Sequence, residues 1–329
     1  MLTVEATPST PTQAPTDKPE PTVPPGLFSL RQRVGVVAPQ LDMARYNVER
    51  LGAGWFLTGS TEPGAPVQVD MEFAPLVQVL GATYSPDAET LQGIARTRPG
   101  ALWLVGNEPD VIWQDRATPE EYAQVYHEVY TALKSADPTA QIAIGGISQV
   151  TPLRLRYLDG VLSAYREKYG EPMPVDVWNI HLAILREERG SWGVDIPPGL
   201  PDDRGVLYEI GDNADVKILQ GEIQTFRGWM AERGLRDKPL IVTEFSVLMP
   251  PEYGFPPDKV RDFLVAAFDY MLTATDSDTG YRADGNRLVQ RWAWYSVAER
   301  VYSTGNLFDL DTRQITSLGL AFAEYTASH

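Results

Sequence analysis

The chain has 329 residues, of which 43% are hydrophobic, and a formal net charge of −16 at pH 7. This length can form one large core, and the strong negative charge argues against nucleic acid as a partner, because binding phosphates requires a basic face. The absence of cysteine excludes disulfides, thiolate metal ligands and cysteine nucleophiles. No run of about 18 apolar residues occurs, so we expect no membrane span.

Residues 1–26 are rich in proline and threonine. A segment of this composition cannot bury apolar surface, and we predict a disordered, extended linker here. The first seven residues lack the basic and apolar regions of an export signal, so either a signal is missing from this sequence or the protein is cytosolic. Linkers of this kind commonly tether exported domains, and we therefore expect an extracellular or envelope-attached protein; the alternative is a tail without a role.

From Leu27 onward, eight short apolar runs alternate with helical patterns. Continuous apolar runs of this length are typical of strands that are buried on both faces, as in a parallel sheet. The predicted strands are 33–37, 53–58, 74–80, 101–105, 141–145, 175–181, 240–244 and 289–295.

The helical patterns fill most of the intervals between these strands. Thr118 is the clearest helix start, with Pro119 in the first turn and Glu121 completing a capping box. The predicted helices are 86–98, 118–135, 153–169, 216–233, 257–275 and 317–326, whereas no helix is visible in 59–72 or in the insert 185–215. Eight strands alternating with helices predict a (β/α)₈ TIM barrel, formed by one catalytic domain over 27–329, with an irregular second crossover.

Two glutamates end buried strands of this predicted barrel. Glu108 follows the fourth strand and Glu244 ends the seventh. Since the carboxyl ends of barrel strands face the active site, we expect the two side chains to meet there, about 5–5.5 Å apart, as in a retaining glycosidase. Glu108 would be protonated, with a raised pKa, to serve as acid and then base, and Glu244 would stay ionised as the nucleophile. The alternative is two surface or salt-bridged glutamates.

Four short motifs in order resemble clan A of the glycoside hydrolases. They are GNEPD at 106–110, VDVWNIH at 175–181, VTEF at 242–245 and RWAWY at 291–295. They are most similar to the catalytic-core family that includes fungal cell-wall β-1,3-glucanases, and the β-xylosidase branch is similar around Asn-Glu-Pro-Asp alone. The resemblance implies that Glu108 is the acid/base, that Glu244 is the nucleophile and that the substrate is a β-1,3-glucan cleaved within the chain.

Further polar residues are candidates for substrate binding. Asn107 can donate to the 2-hydroxyl of a sugar, or it can be a turn residue. His181 ends the sixth strand and resembles the histidine that clan members place there, although a buried histidine is often a core group. The related enzymes often carry a tyrosine at the position of Ala183, so the hydrogen-bond partner of Glu244 is open between Tyr295 and Tyr253.

Aromatic residues suggest platforms for a sugar ring. Trp292 and Trp294 lie two positions apart and therefore point to the same side of the eighth strand, where we favour Trp294 as the floor of a subsite. Trp113, just past Glu108, and Trp192, in the insert, are further candidates. For each tryptophan, packing in the core is the competing interpretation.

Other ligand signals are weak. Gly52-Ala53-Gly54 precedes a strand, whereas a dinucleotide-binding loop follows one. The acidic loop with Asp276, Asp278 and Asp284 does not have the spacing of an EF-hand and is better interpreted as a solvated loop. We therefore expect no cofactor and no metal, a monomer, and a polysaccharide or oligosaccharide as the partner. The open alternatives are a non-catalytic carbohydrate-binding protein on the same barrel, and a β-xylosidase-like or galactanase-like enzyme.

Overall fold

The computed structural model describes residues 27–39, 43–63 and 70–328. The predicted linker 1–26 lies outside the described residues. The strands are β1 Val34–Val37, β2 Trp55–Leu57, β3 Glu72–Ala74, β4 Leu76–Leu80, β5 Thr83–Ser85, β6 Leu102–Val105, β7 Gln141–Ile144, β8 Trp178–His181, β9 Leu240–Phe245 and β10 Arg291–Tyr295. The helices are α1 Leu30–Arg33, α2 Ala88–Thr97, α3 Pro119–Ala136, α4 Pro152–Tyr169, α5 Val216–Glu232, α6 Pro257–Thr273 and α7 Ser317–Ser328.

The strands form two sheets, one of six strands in the order β3-β2-β1-β10-β9-β8 and one of four in the order β5-β4-β6-β7. All pairs are parallel except the β4–β5 hairpin. Isolated parallel bridges join Ala143 to Val177 and Ile147 to Ile180, across the β7–β8 boundary. The prediction of an α/β fold with a parallel sheet is confirmed. Among the described strands, no regular ladder joins the two sheets, so a closed barrel is not formed by regular pairing.

The third predicted strand is divided by a proline. Pro75 separates β3 from β4, so one apolar run contributes to both sheets. Its carbonyl still accepts a hydrogen bond from the backbone N–H of Leu104, at 2.9 Å. The hairpin strand β5 was not predicted. The described parts of 59–72 contain no helix, in agreement with the predicted irregular crossover.

The apolar core has two layers that follow the alternation of side chains along the strands. The inner layer, enclosed by the sheets, includes Trp55, Leu104, Ile241 and Ala293. The outer layer fills the space between the strands and the helices. Gly35 is required in the inner layer because a Cβ atom there would overlap the ring of Trp55. Side chains on neighbouring strands are thus matched in size.

A buried ion pair fastens the beginning of the described chain to the amino end of β10. The guanidinium of Arg33 donates to both carboxylate oxygens of Asp284, at 2.6 and 2.8 Å, and also to the carbonyl of Gln290. The backbone N–H of Leu27 donates to the same carboxylate. Asp284 is therefore occupied by these partners, and Asp276 accepts backbone N–H groups of its own loop. In the described part of the chain, no helix is long and apolar enough to cross a membrane.

Candidate active site

The structure brings the two predicted glutamates together with His181. One oxygen of each carboxyl group and one nitrogen of the imidazole lie within 4.8 Å of one another. Glu108 follows β6 with a positive φ of 56° and donates its backbone N–H to the carbonyl of Gly146. The pairing of β8 with β9 shifts register so that His181 lies opposite Glu244. A left-handed backbone at a non-glycine residue is strained, and such strain often occurs at functional sites.

His181 is held on both sides of its ring. Its Nδ1 atom lies 2.9 Å from Oε1 of Glu108, and its Nε2 atom lies 3.0 Å from the hydroxyl of Thr243. The Thr243 hydroxyl donates to Oδ1 of Asn179 at 2.9 Å, and all these side chains are buried. A Cβ atom on Gly146 would overlap the imidazole, so this glycine makes room for the ring. The arrangement fixes the position of His181 against Glu108.

Burial away from water raises the pKa of Glu244 to about 7, the positive charge of His181 opposes this shift, and the negative charges of Glu108 and Glu299 add to it. For His181, burial lowers the pKa, but the hydrogen bond to Glu108 and the nearby carboxylates outweigh burial, and the net shift is upward. His181 and Glu244 therefore both keep a proton to higher pH than an ordinary histidine and glutamate. With this raised pKa, Glu244 is ionised above about pH 7, higher than an ordinary glutamate.

Within the described residues, neither Tyr295 nor Tyr253 donates a hydrogen bond to Glu244. Tyr295 lies close enough for the charge of Glu244 to raise its pKa, after the larger effect of burial. Tyr253 lies on a short 3₁₀ turn and is exposed. Of the two tyrosines left open by the sequence, only Tyr295 reaches the cleft beside Glu244.

A cleft of about 620 Å³ is lined by Glu244 and by Asn107, the residue that precedes Glu108. Its polar and aromatic wall includes Asn107, Trp113, Asp115, Glu244, Tyr295 and Tyr302, and the ends of β1, β2 and β4 supply apolar side chains. Trp113 is 67% exposed, so one ring face is available to a ligand. Tyr295 and Tyr302 pack edge to face, with ring centroids 6.4 Å apart. The cleft combines apolar surface with a few convergent polar groups, as carbohydrate and other ligand sites do.

The assignment of Trp292 and Trp294 to substrate binding is wrong. Both side chains are completely buried in the outer layer of the core. The indole N–H of Trp294 donates to the carbonyl of Gly305 at 2.8 Å, and its ring packs edge-on against Phe245. The inner face of β10 is occupied instead by Ala293 and Tyr295, whose side chains point to the other side of the strand. Trp192 is half-buried and is not among the residues that line the cleft.

Asp115, which no sequence pattern indicated, supports the loop that carries Glu108. Its Oδ2 atom accepts the backbone N–H of Asn107 at 2.5 Å, and a Cβ atom on Gly106 would overlap this carboxyl, at 2.5 Å. Burial raises the pKa of Asp115 well above its usual range. Only the short spacing of this aspartate from the Asn-Glu-Pro motif could have drawn attention to it.

Arg154 is a second support of the segment after Glu108, and no sequence pattern indicated it. Arg154 donates to the carboxylates of Asp110 and Glu187 at 2.8 and 2.9 Å, and to the backbone carbonyls of Val194 and Asp195. Glu187, Val194 and Asp195 belong to the insert 185–215. One buried guanidinium thus joins this insert to the segment immediately after Glu108. A lone arginine in a helical pattern gives no such signal in the sequence.

Glu108, His181 and Glu244 also have the residue types and the spacing of a cation site. Both imidazole nitrogens are already engaged, one by Glu108 and the other by Thr243. An imidazole ligates a metal through a free nitrogen lone pair, so this geometry fits a proton-handling cluster better than a metal site.

No protein-family model and no curated protein sequence matches the chain. Solved structures do resemble it at low sequence identity. A GH128 subgroup II endo-β-1,3-glucanase from Sorangium cellulosum has a TM-score of 0.60 at 18% identity, covering 88% of this chain and 97% of its own. A GH128 subgroup I endo-β-1,3-glucanase from Amycolatopsis mediterranei, in complex with laminaritriose, has a TM-score of 0.58 at 17% identity, covering 89% and 99%. A GH128 subgroup VII oligosaccharide-binding protein from Trichoderma gamsii has a TM-score of 0.55 at 13% identity, covering 91% and 96%. The chain therefore shares the fold of these proteins.

Proposed function

We propose that this protein is a retaining glycoside hydrolase that cleaves β-linked glucan, with β-1,3-glucan as the substrate class. The observation that carries the proposal is the approach of the Glu108 and Glu244 carboxyl groups, within 4.8 Å, beside an open cleft. A retaining enzyme needs its two carboxyls about 5–5.5 Å apart, whereas an inverting enzyme needs a wider gap for water. The shared fold with β-1,3-glucanases supports the same choice of substrate.

In this mechanism Glu108 donates a proton to the glycosidic oxygen while Glu244 attacks the anomeric carbon. The bond between that carbon and the leaving oxygen breaks, its electron pair stays on the oxygen, and a glycosyl ester forms on Glu244. Glu108 then takes a proton from water, which attacks the same carbon and releases Glu244. Two inversions give net retention. Residues 27–329 form one catalytic domain in this proposal. Its fold corresponds to a (β/α)₈ barrel in which β3 and β4 together take the place of one strand.

The cleft supplies the contacts to sugar. Asn107 lies next to Glu108 on the cleft wall and donates to the 2-hydroxyl of the reacting sugar, a bond that strengthens in the transition state. Trp113 offers its exposed face to a pyranose ring, and Tyr295 borders the nucleophile. Since a glucan polymer lies outside the cell, we propose an extracellular or envelope-attached location, and a monomer as the working form.

The test is a panel of β-1,3-glucan, xylan and galactan, with the products followed by chromatography and by proton NMR of the anomeric signal. We expect hydrolysis of β-1,3-glucan with first-formed β-anomers. First-formed α-anomers would refute the retaining mechanism, and preferential cleavage of xylan or galactan would refute the substrate. Glu244→Gln should abolish turnover and keep sugar binding, and azide should rescue Glu244→Gly with inverted configuration.

A second candidate is a carbohydrate-binding protein without activity. It is favoured by Ala183, where related enzymes often have a tyrosine, and by the oligosaccharide-binding protein that shares the fold. Calorimetry with laminari-oligosaccharides beside a reducing-sugar assay separates the two proposals. Tight binding by the intact protein without cleavage would favour this second function.

A further inference from the structure

Four buried polar groups form a hydrogen-bond chain with one direction. The backbone carbonyl of Ile144 can only accept, so Asn179 turns its Nδ2 toward it, at 3.2 Å, and presents Oδ1 to Thr243. The Thr243 hydroxyl donates its single hydrogen to that Oδ1, at 2.9 Å. Its oxygen then serves as the acceptor for Nε2 of His181, at 3.0 Å. Nε2 therefore carries a hydrogen.

This direction leaves Nδ1 as the nitrogen of His181 that gains or loses a proton. When His181 is neutral, its Nδ1 lone pair points at Oε1 of Glu108, only 2.9 Å away. A deprotonated Glu108 would then place two acceptors face to face in a buried site, which is unfavourable. His181 and Glu108 consequently share one proton as long as the hydrogen-bond chain through Asn179 and Thr243 is intact.

The other charged groups around His181 act in the same sense. The carboxylate of Glu244 faces it from β9, and Asp110 faces it from the segment after β6. Both negative charges favour a proton on the His181–Glu108 pair. The charge of Asp110 is partly offset by its ion pair with Arg154. The nearby charges therefore favour, and do not oppose, retention of the proton.

We infer that Thr243 and Asn179 are positioning residues of the acid/base, which hold His181 as the Nε2–H tautomer so that Glu108 keeps the proton it delivers. This inference rests on the proposed glycosidase activity, because only there does the proton have a recipient, the leaving oxygen. Without the Thr243 hydroxyl, neutral His181 would place its hydrogen on Nδ1 and donate it to the Glu108 carboxylate. That hydrogen bond stabilises the form of Glu108 that cannot act as an acid.

The kinetic test compares Thr243→Val, which removes only the hydroxyl, with Thr243→Ser, which retains it. For Thr243→Val we expect kcat/KM on glucan to fall by about 10- to 100-fold, part of the ~10²–10⁴-fold that general acid catalysis supplies. The basic limb of its pH profile should move to lower pH by about one unit. A dinitrophenyl glycoside has a leaving group that needs no proton, so its kcat/KM should change less than about twofold. Thr243→Ser should resemble the wild type, and equal losses on both substrates would overturn the inference.

A spectroscopic arm determines the tautomer in the wild-type protein itself, and a variant serves only to assign the signal. The nitrogen chemical shifts of His181 in ¹⁵N-labelled protein distinguish the two tautomers, and the sequence holds three histidines, so a His181→Asn spectrum assigns the signal. We expect Nε2–H in the wild type. An Nδ1–H tautomer in an active wild-type enzyme would overturn the inference alone. Absence of hydrolysis with the expected tautomer would overturn the proposed function and, with it, the catalytic role of the hydrogen-bond chain.

Discussion

The guanidinium of Arg154 lies 2.8 Å from the carboxylate of Asp110, and neither side chain is accessible to water. Asp110 stands two residues after Glu108, and the same guanidinium pairs with Glu187 in the insert 185–215. The position of Glu108, the proposed acid/base, therefore depends on a charged group that is not itself part of the cluster with His181 and Glu244.

Replacing this arginine should destabilise the protein strongly. Arg154→Met leaves two buried carboxylates without their partner, and we expect a loss of about 3–5 kcal/mol in the free energy of unfolding, measured with urea. Arg233→Met is the matched control, because Arg233 forms a half-exposed pair with Asp159 at 2.8 Å and should lose less than about 1 kcal/mol. Similar losses in the two variants would contradict the structural role of Arg154.

Gly146→Ala should lower activity, because the added methyl group would displace the His181 imidazole from Glu108. We expect kcat to fall at least about tenfold, because a displaced His181 would no longer hold Glu108, the proposed general acid, in position. Gly93→Ala in α2 is the control, since its new methyl meets open space and should stabilise the helix by roughly 0.5–1 kcal/mol. Wild-type kinetics in Gly146→Ala would show that the position of His181 is not restricted by this contact.

Trp113 and Trp294 should respond in opposite ways to truncation. Trp113→Ala removes an exposed ring, so oligosaccharide affinity should weaken by about 0.5–1.5 kcal/mol while stability stays unchanged. Trp294→Ala should instead lower the free energy of unfolding by about 3–5 kcal/mol, because it creates a cavity in the outer layer. Calorimetry and urea unfolding on both variants measure these effects. Loss of stability without loss of affinity in Trp113→Ala would exclude the platform.

The pH dependence of activity follows from Glu244. Burial raises its pKa to about 7, so the ionised nucleophile accumulates only above that pH, and kcat/KM should rise through about pH 7. Glu299→Gln removes a negative charge that contributes to this shift, and the acid limb should move to lower pH. A wild-type limb near about 4.3, the ordinary value for glutamate, would argue against the raised pKa of Glu244 and its proposed role.

Glu222 should make stability decline at high pH. Burial is the main cause that raises its pKa to about 8, although Val150 and Tyr208 donate to its carboxylate. A carboxyl whose pKa is raised by folding contributes stability below its unfolded pKa, and this contribution is lost as pH rises through the folded value. Glu222→Gln should therefore reduce the loss of unfolding free energy between about pH 5 and 9, by on the order of 4 kcal/mol. Glu232→Gln, whose side chain is exposed, should retain the full decline.

The elements of the fold could be predicted because apolar runs and capping residues are local signals. Thr118 caps α3 with the predicted capping box, and the strand that ends before Glu108 has its predicted extent to within one residue. The direction of Trp294 was predicted wrongly because side-chain alternation gives two faces without saying which one is inside. Asn179 and Asp115 were not identified because their roles depend on contacts between distant segments, which no local pattern encodes.

The anchoring of Leu27 and Arg33 to Asp284 fixes the side of the molecule at which the polypeptide joins the domain. β10 begins beside this anchor and ends at Tyr295, on the cleft, so the two lie at opposite poles of the sheet. The described polypeptide therefore begins at the pole remote from the glutamates. Changes at the anchored end need not reshape the cleft at the other pole, where the proposed glucan would bind.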